Sequence, residues 1–192
     1  LLPIIKILDP NCTDVQALII VPSRELAIQI EQVVRNMGSG FKVNAVYGGR
    51  PMSKDKIEIK HTPAILIGTP GRIADHFSNN RFSLKNIKSL ILDEFDKSLE
   101  DGFEVEMKDI INQLPHINKR VLTSATKTLK IPDFVRLNQP TTINYLQEKI
   151  ASKLDVKTVL STSKTKLPSL LELLQFLGNQ NGIIFCNLRE SI

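Results

Sequence analysis

The chain has 192 residues, enough for one full domain and part of another at ~150 residues per domain. Hydrophobic residues make up 42% and charged residues 23%, an ordinary globular balance that excludes disordered, collagen-like and coiled-coil classes. Apolar runs such as residues 17–21 are shorter than the roughly 18 residues that span a membrane, so we expect a soluble protein with no membrane partner. The net charge of +5 favours a polyanionic partner without requiring one.

The cysteines and histidines do not have the spacing of zinc ligands. Cys12 and Cys186 lie far apart without C-x-x-C pairing, which argues against a zinc site and fits a reducing compartment. We interpret both as buried thiols and expect a cytoplasmic location. His61, His76 and His116 share no metal-ligand spacing, so we interpret them as surface or partly buried structural residues.

Short runs of Ile, Leu and Val recur along the chain, each followed by a turn and then by helical periodicity. The predicted strands are residues 17–21, 43–47, 64–67, 90–92, 121–122 and 182–185. This alternation is typical of βα units on a parallel sheet. We therefore predict the α/β fold class, an open parallel sheet with helices on both faces.

Two predicted helices have clear start signals. Ser23 is placed to cap the first helix, and Thr69 with Pro70 begins another. Their apolar positions are Leu26, Ile30, Val33 and Met37 in the first helix, and Ile73 and Phe77 in the second. Phenylalanines at apolar periodic positions are predicted to be core residues rather than base-stacking platforms: Phe41, Phe77, Phe103, Phe134 and Phe176.

The pattern predicts a domain of residues 1–146, a linker of residues 147–155 and the beginning of a second domain at residues 156–192. The linker has too few apolar residues for a sheet strand. After it, a helix is predicted to end at Gly178 and to precede a strand. The apolar stripe of this helix consists of Leu167, Leu170, Leu171, Leu174 and Leu177.

Two adjacent carboxylates, Asp93 and Glu94, follow the apolar run that ends at Leu92. Ligands of open α/β sheets bind at the carboxyl ends of strands, and this segment looks like a Walker B element. One carboxylate can hold Mg²⁺ through its waters while its neighbour accepts a proton from the water that attacks a phosphate. Taken alone, the pair also fits an ordinary strand end followed by a turn.

Three turn segments after successive predicted strands could meet phosphates. They are residues 22–27 (P-S-R-E-L-A), residues 48–49 (G-G) and residues 69–72 (T-P-G-R). Each alone fits ordinary capping or turn chemistry, but their joint placement at one sheet edge predicts a site that follows a nucleic-acid backbone. The S-A-T segment at residues 124–126 adds two hydroxyls near Asp93 and Asp96.

The succession P-S-R-E-L-A, G-G, T-P-G-R, D-E-F-D, S-A-T and I-I-F-C-N resembles the DEAD-box ATP-dependent RNA helicases of helicase superfamily 2. The resemblance covers the whole chain in register. It implies a RecA-like domain joined by a flexible linker to a second RecA-like domain, with ATP and Mg²⁺ as cofactors. It also implies RNA, held through its backbone independently of sequence, as the partner. We expect a monomer and leave accessory proteins open.

The resemblance also implies roles for individual residues. Asp93 would hold Mg²⁺ through water. Asp93 and Glu94 would both belong to the ATP site and act in catalysis by the attacking water. Asp96 would meet Ser124 and Thr126, which completes the catalytic set. The RNA path would be lined by Ser23, Arg24, Gly48, Gly49, Thr69, Gly71 and Arg72.

The chain departs from the family pattern in several places. Phe95 replaces the usual Ala of the acidic motif, where we expect it to pack beneath the sheet end, and Ser23 replaces the usual Thr. No glycine begins a G-x-x-x-x-G-K-[ST] run, and the glutamine motif and the later arginine motifs are missing. We therefore expect a fragment that cannot complete an ATP site. Alternatives are a non-catalytic RNA-binding or partner-binding module with this fold and a DNA-directed superfamily 2 helicase.

Overall fold

The computed structural model describes residues 1–126, 130–145, 155–161 and 166–185. The chain divides into two compact units, Leu1–Leu146 and Gln147–Ile192. Within the described ranges, no helix is long and apolar enough to cross a membrane.

The first unit is built on a sheet of five parallel strands, in the order β2-β3-β1-β4-β5. The strands are β1 at Ala17–Ile20, β2 at Val43–Val46, β3 at Ile65–Gly68, β4 at Ser89–Leu92 and β5 at Lys119–Leu122. The central strand β1 places Ala17 opposite Ile65 of β3 and Ser89 of β4. Each of these strands overlaps a predicted one, so the parallel α/β prediction is confirmed for this unit.

Helices connect the strands. They are α1 at Leu2–Ile5, α2 at Arg24–Asn36, α3 at Met52–Ile59, α4 at Pro70–Ser78, α5 at Phe95–Glu100 and α6 at Glu104–Gln113, followed by a 3-10 turn at Asp133–Val135. Ser23 caps α2 as predicted, since its Oγ accepts a hydrogen bond from the Leu26 N–H at 3.2 Å. The predicted apolar face of α2 is partly wrong, because Val33 and Met37 are 42% and 38% exposed. Ala27, Ile30 and Val34 are the residues that pack on the sheet, a stripe beside the predicted one at helical spacing.

The core lies on both faces of the sheet. Leu18 and Ile20 of β1 pack into one cluster, together with the fully buried Phe95, and Ala17 and Ile19 pack into the other. Phe95 therefore packs beneath the sheet end, as predicted. The predicted phenylalanines Phe41, Phe77, Phe103 and Phe134 also belong to or pack against these clusters, but Phe176 is 87% exposed and is not a core residue.

The second unit contains one described helix, α7 at Leu167–Leu177, which is followed by Gly178 at a φ of 64°. The strand predicted at residues 182–185 is wrong: residues 182–185 are irregular, and Ile183 and Phe185 are 82% and 90% exposed. A strand forms only where a neighbouring strand takes its backbone hydrogen bonds. Most of the predicted linker, residues 147–154, and Cys186 lie outside the described residues. Cys12 is partly exposed rather than buried.

Candidate active site and nucleic-acid interface

The predicted site residues of the first unit lie at the carboxyl edge of the sheet. Along that edge the G-G segment follows β2, T-P-G-R follows β3, P-S-R-E-L-A follows β1, D-E-F-D follows β4 and S-A-T follows β5. The sheet order thus brings the three phosphate-type segments side by side, although they are not in that order along the chain. The carboxylates and hydroxyls occupy the other half of the edge.

A groove of about 690 Å³ lies over the first half of this edge. Its lining includes six of the predicted nucleic-acid residues, Arg24, Gly48, Gly49, Thr69, Gly71 and Arg72. Gly49 has a φ of 83°, a backbone conformation that favours glycine, and a Cβ built there would lie 3.6 Å from Arg24 Nη1. Gly48 and Gly71 have no atom within 4 Å of a built Cβ, so their backbones are open to a ligand.

Two helices begin at this groove. The first backbone N–H groups of a helix have no acceptor inside the helix and attract anions. At α4 the Thr69 side chain makes no capping hydrogen bond, which leaves its hydroxyl available to a ligand. At α2 the Ser23 hydroxyl oxygen already caps the helix, although its hydrogen can still be donated.

The two arginines of the groove differ in exposure. Arg24 is 61% exposed and its Nε lies 2.6 Å from Glu25 Oε1, and this hydrogen bond with Glu25 raises the pKa of Arg24. A phosphate must compete with Glu25 for Arg24. Arg72 is only 10% exposed; its Nε donates to the Tyr47 carbonyl at 3.1 Å and its Nη2 donates to the Arg50 carbonyl. The structure therefore directs the Arg72 guanidinium into the protein, which the sequence pattern did not predict.

The acidic half of the edge is organised by Thr123, a residue that the motifs did not single out. The Thr123 hydroxyl donates to Asp93 Oδ1 and accepts the Glu94 N–H at 3.2 Å. The backbone of Thr123 also accepts the Phe95 N–H at 3.0 Å. These bonds join the end of β5 to the turn after β4, so Asp93 is held while the Glu94 side chain is exposed. The sequence feature that could have identified Thr123 is its position immediately before the S-A-T segment.

Asp96 is buried next to the S-A-T segment. Burial acts to raise the pKa of its carboxyl, but the nearby Lys97 backbone N–H and the Thr126 and Ser124 hydroxyls hold that pKa below its ordinary value. Among the described residues, neither Asp96 carboxylate oxygen has a hydrogen-bond partner at ordinary geometry. Ser124 Oγ and Thr126 Oγ1 lie 3.2 Å apart. The predicted proximity of these three side chains agrees with the structure, whereas their catalytic role stays a prediction.

The carboxylates suit a metal that keeps most of its water. Among the described residues, no three His, Cys, Asp or Glu side chains form a cluster that could hold a metal ion. Mg²⁺ usually binds through one or two carboxylates, waters and substrate phosphates rather than through an all-protein cage. The partly exposed Asp93 and the exposed Glu94 fit that kind of site.

Known proteins resemble this chain in both sequence and fold. The "ATP-dependent RNA helicase DHH1" of Saccharomyces cerevisiae is 34% identical over 190 residues, which cover 97% of this chain and 38% of that protein. The "ATP-dependent RNA helicase CshA" of Listeria monocytogenes is 39% identical over 137 residues, covering 70% of this chain and 26% of that protein. The chain therefore spans 38% of the length of the first relative and 26% of the second.

Solved structures confirm the RecA-like open sheet. A DEAD box protein from Methanococcus jannaschii is similar with a TM-score of 0.58 and 35% identity, over 66% of this chain and 35% of that one. A hypothetical ATP-dependent RNA helicase from Sulfolobus tokodaii has a TM-score of 0.59 and 31% identity, over 70% of this chain and 38% of that one. The model of the DEAD/DEAH box helicase family matches residues 1–134. The chain therefore belongs to the DEAD/DEAH box helicase family.

Proposed function

We propose that this chain is part of an ATP-dependent RNA helicase, in which ATP hydrolysis is coupled to gripping an RNA backbone and locally separating a duplex. The observation that carries the proposal is the division of one sheet edge. The groove lined by the G-G, T-P-G-R and P-S-R-E-L-A segments lies over the half formed by β2, β3 and β1, and carboxylates with hydroxyls occupy the half formed by β4 and β5. Relatives named ATP-dependent RNA helicases support it.

In the proposed reaction, Glu94 accepts a proton from the water that attacks the terminal phosphate of ATP. Its exposed carboxylate at the strand end is free to face that water. Asp93, oriented by the Thr123 hydroxyl, would hold hydrated Mg²⁺. When bound, this ion neutralises charge on the phosphates. Asp96 would keep Ser124 and Thr126 next to the site, where they would link hydrolysis to closure of the two domains.

The proposed RNA contacts are with phosphate and sugar. The groove offers backbone groups of Gly48, Gly49 and Gly71, the Thr69 hydroxyl and the Arg24 guanidinium, and such donors read no base edges. Aromatic residues make up only 5% of the chain, which disfavours recognition by base stacking. The same proposal includes a monomeric state and a cytoplasmic location, and it leaves the accessory proteins open.

The test replaces Glu94 by Gln in the longest natural polypeptide that contains this chain. A base that takes a proton from the attacking water stabilises the transition state but contributes little to the binding of the substrate. RNA-stimulated ATP hydrolysis should therefore fall by about 10²-fold or more, whereas nucleotide affinity should change little. Glu100→Gln, at an exposed carboxylate of α5, is the matched control. An unchanged hydrolysis rate in the Glu94→Gln protein would remove the catalytic assignment.

Two further outcomes separate the alternatives. A wild-type polypeptide that binds RNA without hydrolysing ATP would indicate the non-catalytic module. Competition between RNA and DNA oligonucleotides of the same sequence tests the DNA-directed alternative, and we expect RNA to compete more strongly.

A further inference from the structure

A fully buried carboxylate, Asp55 of α3, lies behind the groove among three basic side chains. Arg50 Nε is 2.6 Å from Asp55 Oδ1, and Arg72 Nε and His76 Nε2 are 2.9 Å and 3.0 Å from Oδ2. The Asp55 and His76 side chains are both 0% exposed. A carboxylate removed from water is tolerated only where basic or hydrogen-bonding partners compensate the cost of its burial. The three basic side chains around Asp55 meet that requirement.

Two of these partners hold the loop of residues 47–50, which carries both groove glycines. Arg72 donates to the carbonyls of Tyr47 and Arg50, at the two ends of the loop. Arg50 packs its guanidinium 4.6 Å from the Tyr47 ring centroid and donates to the Ala45 carbonyl at 2.9 Å. The loop is therefore fixed through both guanidinium groups that pair with Asp55.

The charges in this cluster act on one another. Burial acts to lower the pKa of Arg50, but a hydrogen bond with Glu58 and the charge of Asp55 raise it above its ordinary value. Arg50 Nη2 lies 2.7 Å from Glu58 Oε2. Removal of the Asp55 charge would leave Arg72 and His76 without their nearest anion, and Arg50 would keep only Glu58.

We propose that Asp55 is a positioning residue of the nucleic-acid groove, and that its carboxylate holds Arg50 and Arg72 inward so that they fix the backbone of residues 47–50. Arg72 then supports RNA binding through the loop instead of pairing with a phosphate. Arg24, 61% exposed against 10% for Arg72, is the guanidinium that meets the RNA. This inference rests on the proposed RNA function of the groove.

The test measures the binding of a single-stranded polyuridine oligonucleotide to the 192-residue chain across a series of salt concentrations. Each lost phosphate contact lowers the slope of log affinity against log salt by about 0.7 for single strands. Arg24→Gln should lower the slope by that amount. Asp55→Asn and Arg72→Gln should weaken binding by about tenfold, the effect of losing a buried charge-assisted hydrogen bond, with the slope unchanged.

A double-mutant cycle separates positioning from simple loss of stability. If Asp55 and Arg72 act as one unit, the double variant Asp55→Asn with Arg72→Gln should bind no more weakly than either single variant. Ile59→Val, a core change in the same helix, controls for destabilisation and should leave RNA affinity unchanged. The Gly48 and Gly49 amide signals in a ¹⁵N NMR spectrum of the RNA-free Asp55→Asn chain should shift.

Several results would overturn the inference. They are unchanged affinity in Asp55→Asn, a slope lowered by Arg72→Gln as much as by Arg24→Gln, and additive effects in the double variant. Absence of salt-dependent RNA binding by the wild-type chain would instead count against the proposed RNA function. In that case unshifted glycine amide signals would still overturn the role of Asp55, because this measurement needs no RNA. If Asp55→Asn fails to fold, the inference is tested by comparing the salt slope of RNA affinity in Arg72→Gln with the slope in Arg24→Gln.

Discussion

Glu94 has a left-handed backbone conformation, with a φ of 46° and a ψ of 50°. Such a conformation costs a residue with a Cβ about 1–2 kcal/mol, and only glycine adopts it freely. Strain of this kind persists where surrounding structure holds it, often at functional sites. Here the Glu94 N–H bonds to Thr123 and the next residue, Phe95, is fully buried, so the neighbours of Glu94 hold its backbone.

The strain at Glu94 predicts an unusual order of stability between two variants. Glu94→Gly and Glu94→Ala both remove the carboxylate, but only glycine relieves the left-handed strain. We expect the glycine variant to have the higher free energy of unfolding, by about 1 kcal/mol, measured by urea denaturation of the 192-residue chain. Equal stability of the two variants would show that the residue relaxes to another conformation.

Thr123 predicts a residue-scale effect on catalysis. Thr123→Val keeps the shape of the side chain but removes both the donor to Asp93 and the acceptor of the Glu94 N–H. We expect RNA-stimulated ATP hydrolysis by the longest natural polypeptide to fall by about ten- to hundredfold, as for other partners that orient metal ligands. Thr123→Ser retains the hydroxyl and should keep most of the rate. A Thr123→Val protein with the wild-type rate would contradict the orienting role.

At the scale of elements, the close approach of β2 and β3 is decisive for the groove. A Cβ added to Gly68, the last residue of β3, would lie 2.4 Å from the Val46 carbonyl oxygen and 2.8 Å from Val46 Cγ2. This carbonyl of β2 accepts the Thr69 N–H at 3.2 Å, so it cannot move away without losing a hydrogen bond to the residue that follows β3. The glycine therefore allows the G-G and T-P-G-R segments to leave neighbouring strands side by side.

We accordingly expect Gly68→Ala to lower the free energy of unfolding by about 1–3 kcal/mol, the usual cost of overpacking. Gly71→Ala is the matched control, because no atom lies within 4 Å of its built Cβ and its φ is not positive. It should be neutral or slightly stabilising within α4. Thermal unfolding followed by circular dichroism compares the two, and equal midpoints would contradict the packing argument.

At the scale of the whole molecule, the two units differ in how much core each contains. In the part of the chain that the structure describes, both hydrophobic clusters are made of residues 4–137. In the second unit the stripe of α7 is not buried: Leu171, Leu174 and Leu177 are 53%, 42% and 42% exposed. The stability of the sheet therefore depends on residues of the first unit.

This difference predicts that a polypeptide of residues 1–146 keeps the thermal transition of the sheet. Because both clusters close within the first unit, the midpoint should agree with that of the 192-residue chain within about 2 °C, less than the shift expected for 1 kcal/mol in a domain of this size. The comparison uses far-UV circular dichroism at matched molar concentration. A midpoint lowered by more than about 5 °C would show that residues 147–192 stabilise the sheet.

The sequence by itself determined the strands of the first unit, the cap at Ser23, the start of α4 and the identity of the edge segments. These features depend on residues close together in the chain, where side-chain periodicity and turn chemistry act directly. The same local reasoning missed which stripe of α2 packs on the sheet, because two adjacent stripes are both apolar. It also predicted a strand at residues 182–185, where the backbone is irregular.

Only the tertiary structure decided the neighbours of each segment. The sheet order puts G-G beside T-P-G-R and leaves P-S-R-E-L-A between them and the acidic turn, an order that chain position does not reveal. Asp55 meets Arg72 across 17 positions of the chain and Thr123 meets Asp93 across 30. Burial made the Asp55 pairing necessary, because a carboxylate withdrawn from water must find its partner wherever the packed elements bring one. The exposed Thr123–Asp93 bond depends instead on the pairing of β4 with β5, which places the two strand ends side by side.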